Sequence, residues 1–102
     1  MRFGPWYPLA GAAAHAPAEE GVLQLRRATG LLDYPAGKSA MVHYEHAPDV
    51  RVAAVRLAAA YREADLLCRH LIEVPAATDL AAFCAKLRIE FVRRFGSAPR
   101  LP

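Results

Sequence analysis

The spacing of apolar residues changes along this chain, and each change marks an element. Gly21-Val22-Leu23-Gln24-Leu25-Arg26-Arg27-Ala28 alternates, with Val22 and Gln24 on one side and Leu23 and Leu25 on the other. A period of two predicts a strand, bounded by Gly21 and by Thr29-Gly30. Ala40 to His46 carries the strand formers Val42 and Tyr44, two apart and so on one face. This predicts a second strand, antiparallel to the first, with a short helix as the competing form. Pro48-Asp49 punctuates the chain, and Asp49 is a good helix N-cap. After it, Val50, Ala53, Ala54, Leu57, Ala58 and Tyr61 recur at three- and four-residue steps, which is one apolar face of a helix. Leu66 to Val74 fits either a continuation of that helix or a third strand with Cys68, His70, Ile72 and Val74 on one face. The strand is favoured, because the segment closes on Ile-Glu-Val-Pro and a new helix starts promptly. That helix begins at Thr78 or Asp79 and sets Leu80, Phe83, Cys84, Leu87, Phe91 and Phe95 along one face. Gly96 suits its C-terminal cap, and Pro99 prevents continuation.

The order strand, strand, helix, strand, helix predicts an α+β fold: a small three-stranded sheet flanked by helices. Residues 1–20, rich in Pro, Gly and Ala, predict an irregular N-terminal arm with Phe3, Trp6, Tyr7 and Leu9 available to dock on the core. Residues 21–102 predict a single domain. A chain of 102 residues holds one modest core, and much of its 55% apolar content is alanine. The core must therefore come from the scattered Leu, Val, Ile, Phe and Tyr.

A formal charge of +3 and a pI near 9.2 suit an acidic partner such as nucleic acid. Arg88, Arg93, Arg94 and Arg100 crowd the C-terminal end and form the best candidate patch for nucleic-acid backbone or an acidic protein. Cys68 and Cys84 have no metal-ligand spacing and sit among apolar residues, which predicts buried free thiols. His43 and His46, three apart on a strand, point to opposite faces and predict no shared metal. The first residues lack the apolar core of a signal peptide, and no run reaches membrane-spanning length. The expectation is a cytoplasmic protein without a membrane partner.

Thr29 to Ser39 ends in Gly37-Lys38-Ser39, the tail of a phosphate-binding loop. Such a loop places its first glycine five residues before Gly37, where this chain has Leu32. Gly30 is two positions too early, and Pro35 stiffens the span. The loop must also enter a helix, whereas Ser39 leads into a predicted strand. No nucleotide is expected at Gly37-Lys38-Ser39.

A different pattern fits better. Gly21-Val22-Leu23-Gln24-Leu25-Arg26, followed by Gly30, resembles the first strand of the GIY-YIG nuclease-like domain family, and the predicted element order is that family's order. Pro17-Ala18-Glu19-Glu20 looks like its usual lead-in. At the other end, Glu90 and Pro99 have the separation of the family's metal-binding glutamate and the proline that follows it. The second motif has two placements. With its tyrosine at Tyr34, Gly37-Lys38-Ser39 resembles the segment that often follows. With its tyrosine at Tyr44, Ala47-Pro48-Asp49-Val50-Arg51 resembles the turn and helix start that carry the family's arginine. The Tyr44 placement accounts for the whole of Gly21–Pro102 and is preferred.

The resemblance implies a catalytic set of Tyr44, Arg51 and Glu90, with Glu90 the Mg²⁺ ligand in any active form. Three departures cut against activity. Leu23 stands where the family has a tyrosine thought to help activate water, His46 replaces the second-motif glycine, and Pro102 replaces the terminal asparagine. The leading expectation is thus a degenerate GIY-YIG-like domain that binds nucleic acid or protein without cleavage and has no cofactor. The alternatives are an active Mg²⁺-dependent endonuclease or phosphodiesterase with substituted catalytic groups, and a small structural or regulatory subunit whose arm, Phe3 to Leu9, docks on a larger assembly.

Overall fold

The computed structural model describes residues 1–102. In chain order its elements are β1 (Arg2–Phe3), β2 (Tyr7–Pro8), a 3-10 helix (Leu9–Ala14), β3 (Gly21–Arg27), β4 (Leu32–Tyr34), β5 (Gly37–Ser39), β6 (Met41–Ala47), α1 (Val50–Ala60), β7 (Leu66–Glu73) and α2 (Leu80–Phe95). The class is α+β, with an antiparallel main sheet. β3 lies in the middle, β6 on one side and β7 on the other.

The sheet has five strands rather than the expected three, because β1 and β2 both pair with the outer edge of β7. Each is two residues long, too short to show a period in sequence. The arm is therefore built structure, and its Tyr7, Leu9, Ala12 and Ala16 are buried in the core.

The alternation of β3 divides the core in two. Leu23 and Leu25 pack on one side with Val50, Ala53, Ala54 and Leu57 of α1. Val22 packs on the other with Leu80, Cys84 and Phe91 of α2. One expectation fails here. Val42 and Tyr44 do not share a face, because the β3–β6 register slips: Leu25 faces His43 but Arg26 faces Met41. Val42 is the extra residue of a β-bulge, which reverses the alternation on either side of it. Val42 joins the α1 core and Tyr44 the α2 core.

Leu66–Glu73 is a strand, with Cys68 and His70 opposite Leu25 and Leu23. Of the four residues expected on one face, Cys68 is buried, whereas Ile72 and Val74 are exposed and Val74 lies beyond the strand. The caps follow prediction. Asp49 accepts from the Val52 amide at 3.0 Å and Asp79 from the Ala82 amide at 3.0 Å. Gly96 ends α2 with φ 84, a left-handed cap that glycine adopts without strain.

Thr29 to Ser39 is mostly the β4–β5 hairpin, which folds onto α2 through the Ala36 amide and the Phe95 carbonyl at 2.9 Å. Gly37–Ser39 is strand, and β6 follows it. At the opposite end, the lead-in to β3 tethers the start of α1. Glu19 O accepts from the Val50 amide at 2.9 Å and Pro17 O from the Arg51 amide at 3.0 Å. This tether brings Val50 onto Gly21, where an added Cβ would stand 2.7 Å from Val50 Cγ2. No helix is long and apolar enough to cross a membrane.

Candidate nucleic-acid interface

Directly opposed residues in antiparallel strands share a face. The pairs Arg69–Gln24 and Gln24–Tyr44 therefore make one rung across β7, β3 and β6, on the side of the sheet that α2 packs against. Arg26 lies on the same face one rung along, opposite Leu67 and Met41. Gln24 is only 4% exposed, and its Oε1 accepts from Arg69 Nε at 2.7 Å. A buried amide is thereby satisfied, and the Arg69 guanidinium is aimed.

The arm folds back over these arginines. The Arg69 guanidinium lies 4.4 Å from the centre of the Trp6 ring and 4.7 Å from that of Phe3. The Arg26 guanidinium lies 4.7 Å from the same Trp6 ring. Each such contact contributes about 0.5–2 kcal/mol, rising as water is excluded. No carboxylate pairs with either arginine. Arg26 Nε is buried with no hydrogen-bond partner. Burial lowers the Arg69 pKa, the Tyr44 hydroxyl opposes that, and Arg26 lowers it further. Burial likewise raises Tyr44, against the pull of Arg69. Two guanidiniums thus share one aromatic ring with no counter-charge, and that of Arg26 has a buried, unpaired Nε. Chemically, such a pair of donors can hold an anion with several acceptor oxygens.

The residues singled out in sequence fall elsewhere. Tyr44 is buried edge-on against Phe91 at 5.8 Å, and Tyr34 meets the same ring at 5.0 Å. Both possible second-motif tyrosines thus converge on one aromatic core. Arg51 lies in the first turn of α1, over the opposite face of the sheet, with its Nε donating to Ala16 O at 2.8 Å. Glu90 is exposed on α2 without an ion pair. The structure does not bring the three together. Nor do the residues fit a Mg²⁺ centre, since Glu90 stands alone and no three His, Cys, Asp or Glu side chains converge.

The C-terminal arginines divide. Arg88 donates to the Tyr44 carbonyl, with its Nε at 3.1 Å. Arg100 donates to Asp33 O at 2.6 Å and covers the Tyr34 ring. Arg93 and Arg94 stay exposed in the last turn of α2, where cations favour the helix dipole. Sequence reasoning named Trp6 only as a docking residue of the arm and missed Arg26 and Arg69. The available signal was polar Gln24 and Arg26 two apart in the central strand, on the face away from Leu23 and Leu25.

The histidines of β6 are engaged separately. His43 contacts Glu45 at 2.8 Å, and His46 contacts Glu20 at 2.7 Å. Burial pushes the Glu45 carboxyl up, but hydrogen bonds from His43 and Arg56 outweigh it and hold its pKa below the usual value. Both cysteines are free and buried, as expected. Burial raises the Cys68 thiol to about 11, against a hydrogen bond with Tyr7. It raises Cys84 too, against Arg88 and a hydrogen bond from the His46 backbone.

Cys68, Tyr7 and His70 form a chain on the α1 side of the sheet. The thiol contacts Tyr7 Oη at 3.6 Å, and Tyr7 Oη lies 2.8 Å from His70 Nδ1. Burial keeps the phenol protonated, and its hydroxyl and His70 Nδ1 share one hydrogen bond whose direction follows the imidazole tautomer. Burial also lowers the His70 pKa below 6.5; Glu19 opposes this and His15 adds to it. A depressed histidine destabilises the fold in acid, because the unfolded chain takes up the proton first. Stability is expected to fall as pH drops through about 6.5, before the Glu45 contribution is lost below about 4.5. Urea midpoints measured from about pH 7 to about pH 5 should decline in the wild type and flatten in His70→Gln.

No protein-family model matches this chain, and neither the curated proteins nor the solved structures searched contain a match to it.

Proposed function

We propose that this protein is a binding module for nucleic-acid backbone, built on a degenerate GIY-YIG-like core and without hydrolytic activity. The observation that carries the reading is the pair of guanidiniums, Arg26 and Arg69, on Trp6 with no carboxylate between them. Phosphodiester oxygens match such donors, and aromatic–cation surfaces are a common way to hold single strands. The exposed Arg93 and Arg94 extend positive charge along α2. The family assignment is supported by the element order from Gly21 onward, a strand, a strand, a helix, a strand and a helix, with one hairpin inserted. The absence of cleavage is supported by Leu23, which is fully buried where the resemblance implies a proton-transferring tyrosine. It is also supported by the sheet that separates Arg51 from Tyr44. The subunit reading has less support, since Tyr7 and Leu9 are already buried in the protein's own core.

Fluorescence anisotropy with labelled single-stranded, duplex and branched DNA and RNA, with Mg²⁺ or Mn²⁺ present, tests the proposal. The expected result is binding that weakens steeply with salt and leaves the oligonucleotide intact. Cleavage that disappears in Glu90→Ala overturns the binding-only reading. No binding at low salt overturns the nucleic-acid reading.

A further inference from the structure

Arg26 and Arg27 are neighbours in a strand and so point to opposite faces. Arg26 belongs to the interface above. Arg27 instead lines a cavity of about 330 Å³ on the other side, at the end of β3. Its apolar lining includes Leu32, Leu66 and Leu101. Leu66 is 4% exposed and belongs to the α1-side core, and Leu32 and Leu101 pack against that core. Small-molecule sites span roughly 300–1,000 Å³, so this cavity suits a small ligand.

Its polar lining is unusual in sign. Arg27, Asp65 and Thr29 line the same space. The backbones of Arg27 and Asp65 are fixed close together, since Arg27 pairs with Leu66 and the Ala28 amide donates to Asp65 O at 3.0 Å. Yet the guanidinium and the carboxylate form no ion pair with each other or with any other residue. Arg100, the second cation on the cavity, already donates to Asp33 O. Two residues of opposite charge thus line one cavity without pairing with each other. A simple anion would meet Arg27 but also Asp65. A simple amine would meet Asp65 but also two arginines. A ligand carrying both charges and an apolar body satisfies all three parts of the lining.

We infer that this cavity binds a free α-amino acid with an aliphatic side chain. Arg27 takes the carboxylate through paired N–H donors, Asp65 takes the ammonium, and the leucines take the side chain. The site lies on the opposite side of β3 from Arg26 and Arg69 and is independent of nucleic-acid binding.

Isothermal titration of the full chain with L-leucine, 4-methylpentanoate and leucinamide tests it. Leucine should bind saturably. The two analogues, each missing one charge, should bind at least about tenfold more weakly. Asp65→Asn should weaken leucine about tenfold and invert the preference, so that 4-methylpentanoate binds better than leucine. Asp65 is exposed, which makes this variant the one expected to keep the fold, and its circular dichroism checks that. No saturable leucine binding up to about 10 mM overturns the inference. So does equal affinity for leucine and 4-methylpentanoate, or an unchanged preference in folded Asp65→Asn.

Discussion

Arg26→Met is expected to weaken oligonucleotide binding about tenfold while leaving the protein as stable as the wild type to within about 1 kcal/mol. The two effects separate because of where Arg26 sits. Its Nε is buried without a partner, and its charge faces Arg69 across a shared Trp6 ring. The fold gains a cation–π contact from it but carries desolvation and like-charge repulsion in return. Methionine replaces the apolar stem of the side chain without its charged head and removes both penalties.

Arg69 should behave differently. Its loss orphans Gln24 Oε1, at about 1–3 kcal/mol for a buried acceptor, so Arg69→Met should destabilise. Arg69→Met with Gln24→Leu should recover that stability but not the binding. Removing both arginines should weaken binding about a hundredfold and lower the salt slope by about 1. Anisotropy titrations across salt, paired with urea denaturation, read both quantities. Undiminished affinity in a folded Arg26→Met protein would sink the assignment of this face.

Gly21→Ala should destabilise by about 2–3 kcal/mol, a large effect for one methyl group. The added Cβ would come to 2.7 Å from Val50 Cγ2, and Val50 is 1% exposed. It cannot retreat cheaply, because the amides of Val50 and Arg51 are tied to the carbonyls of Glu19 and Pro17. Val50→Ala alone should cost about 1–2 kcal/mol in lost burial. Combined with Gly21→Ala it should be much milder than the sum, with a coupling of about 1–2 kcal/mol in urea unfolding. Additive single effects would mean that the start of α1 does not press on β3.

What sequence could and could not disclose follows from the range of each signal. The helices of 50–60 and 80–95 were legible because a period of 3.6 repeats several times in each and Asp49 and Asp79 announce them. β3 was legible because its alternation is unbroken. β6 was legible as a strand but not in its facing. A bulge depends on the partner strand, and nothing within Met41–Ala47 tells Val42 to part from Tyr44. β1 and β2 were invisible, since two residues hold no period and their order comes from β7. The cluster of Trp6, Arg26 and Arg69 was missed for a related reason. Trp6, Arg26 and Arg69 are far apart in the chain and meet only after three separate pieces of backbone are laid side by side. The charges that cluster in sequence, Arg88 to Arg100, were the ones that attracted notice, and two of those four are engaged with backbone carbonyls.

Arg88 has a wider significance for how the protein behaves among its own copies. β6 has a partner only in β3, so its other side is where a second chain could add a strand. The Tyr44 carbonyl of this strand is already held by a guanidinium from α2. A charged group on an open strand also repels the like-charged edge of another molecule. The side chain therefore blunts that edge against pairing with the edge of another copy.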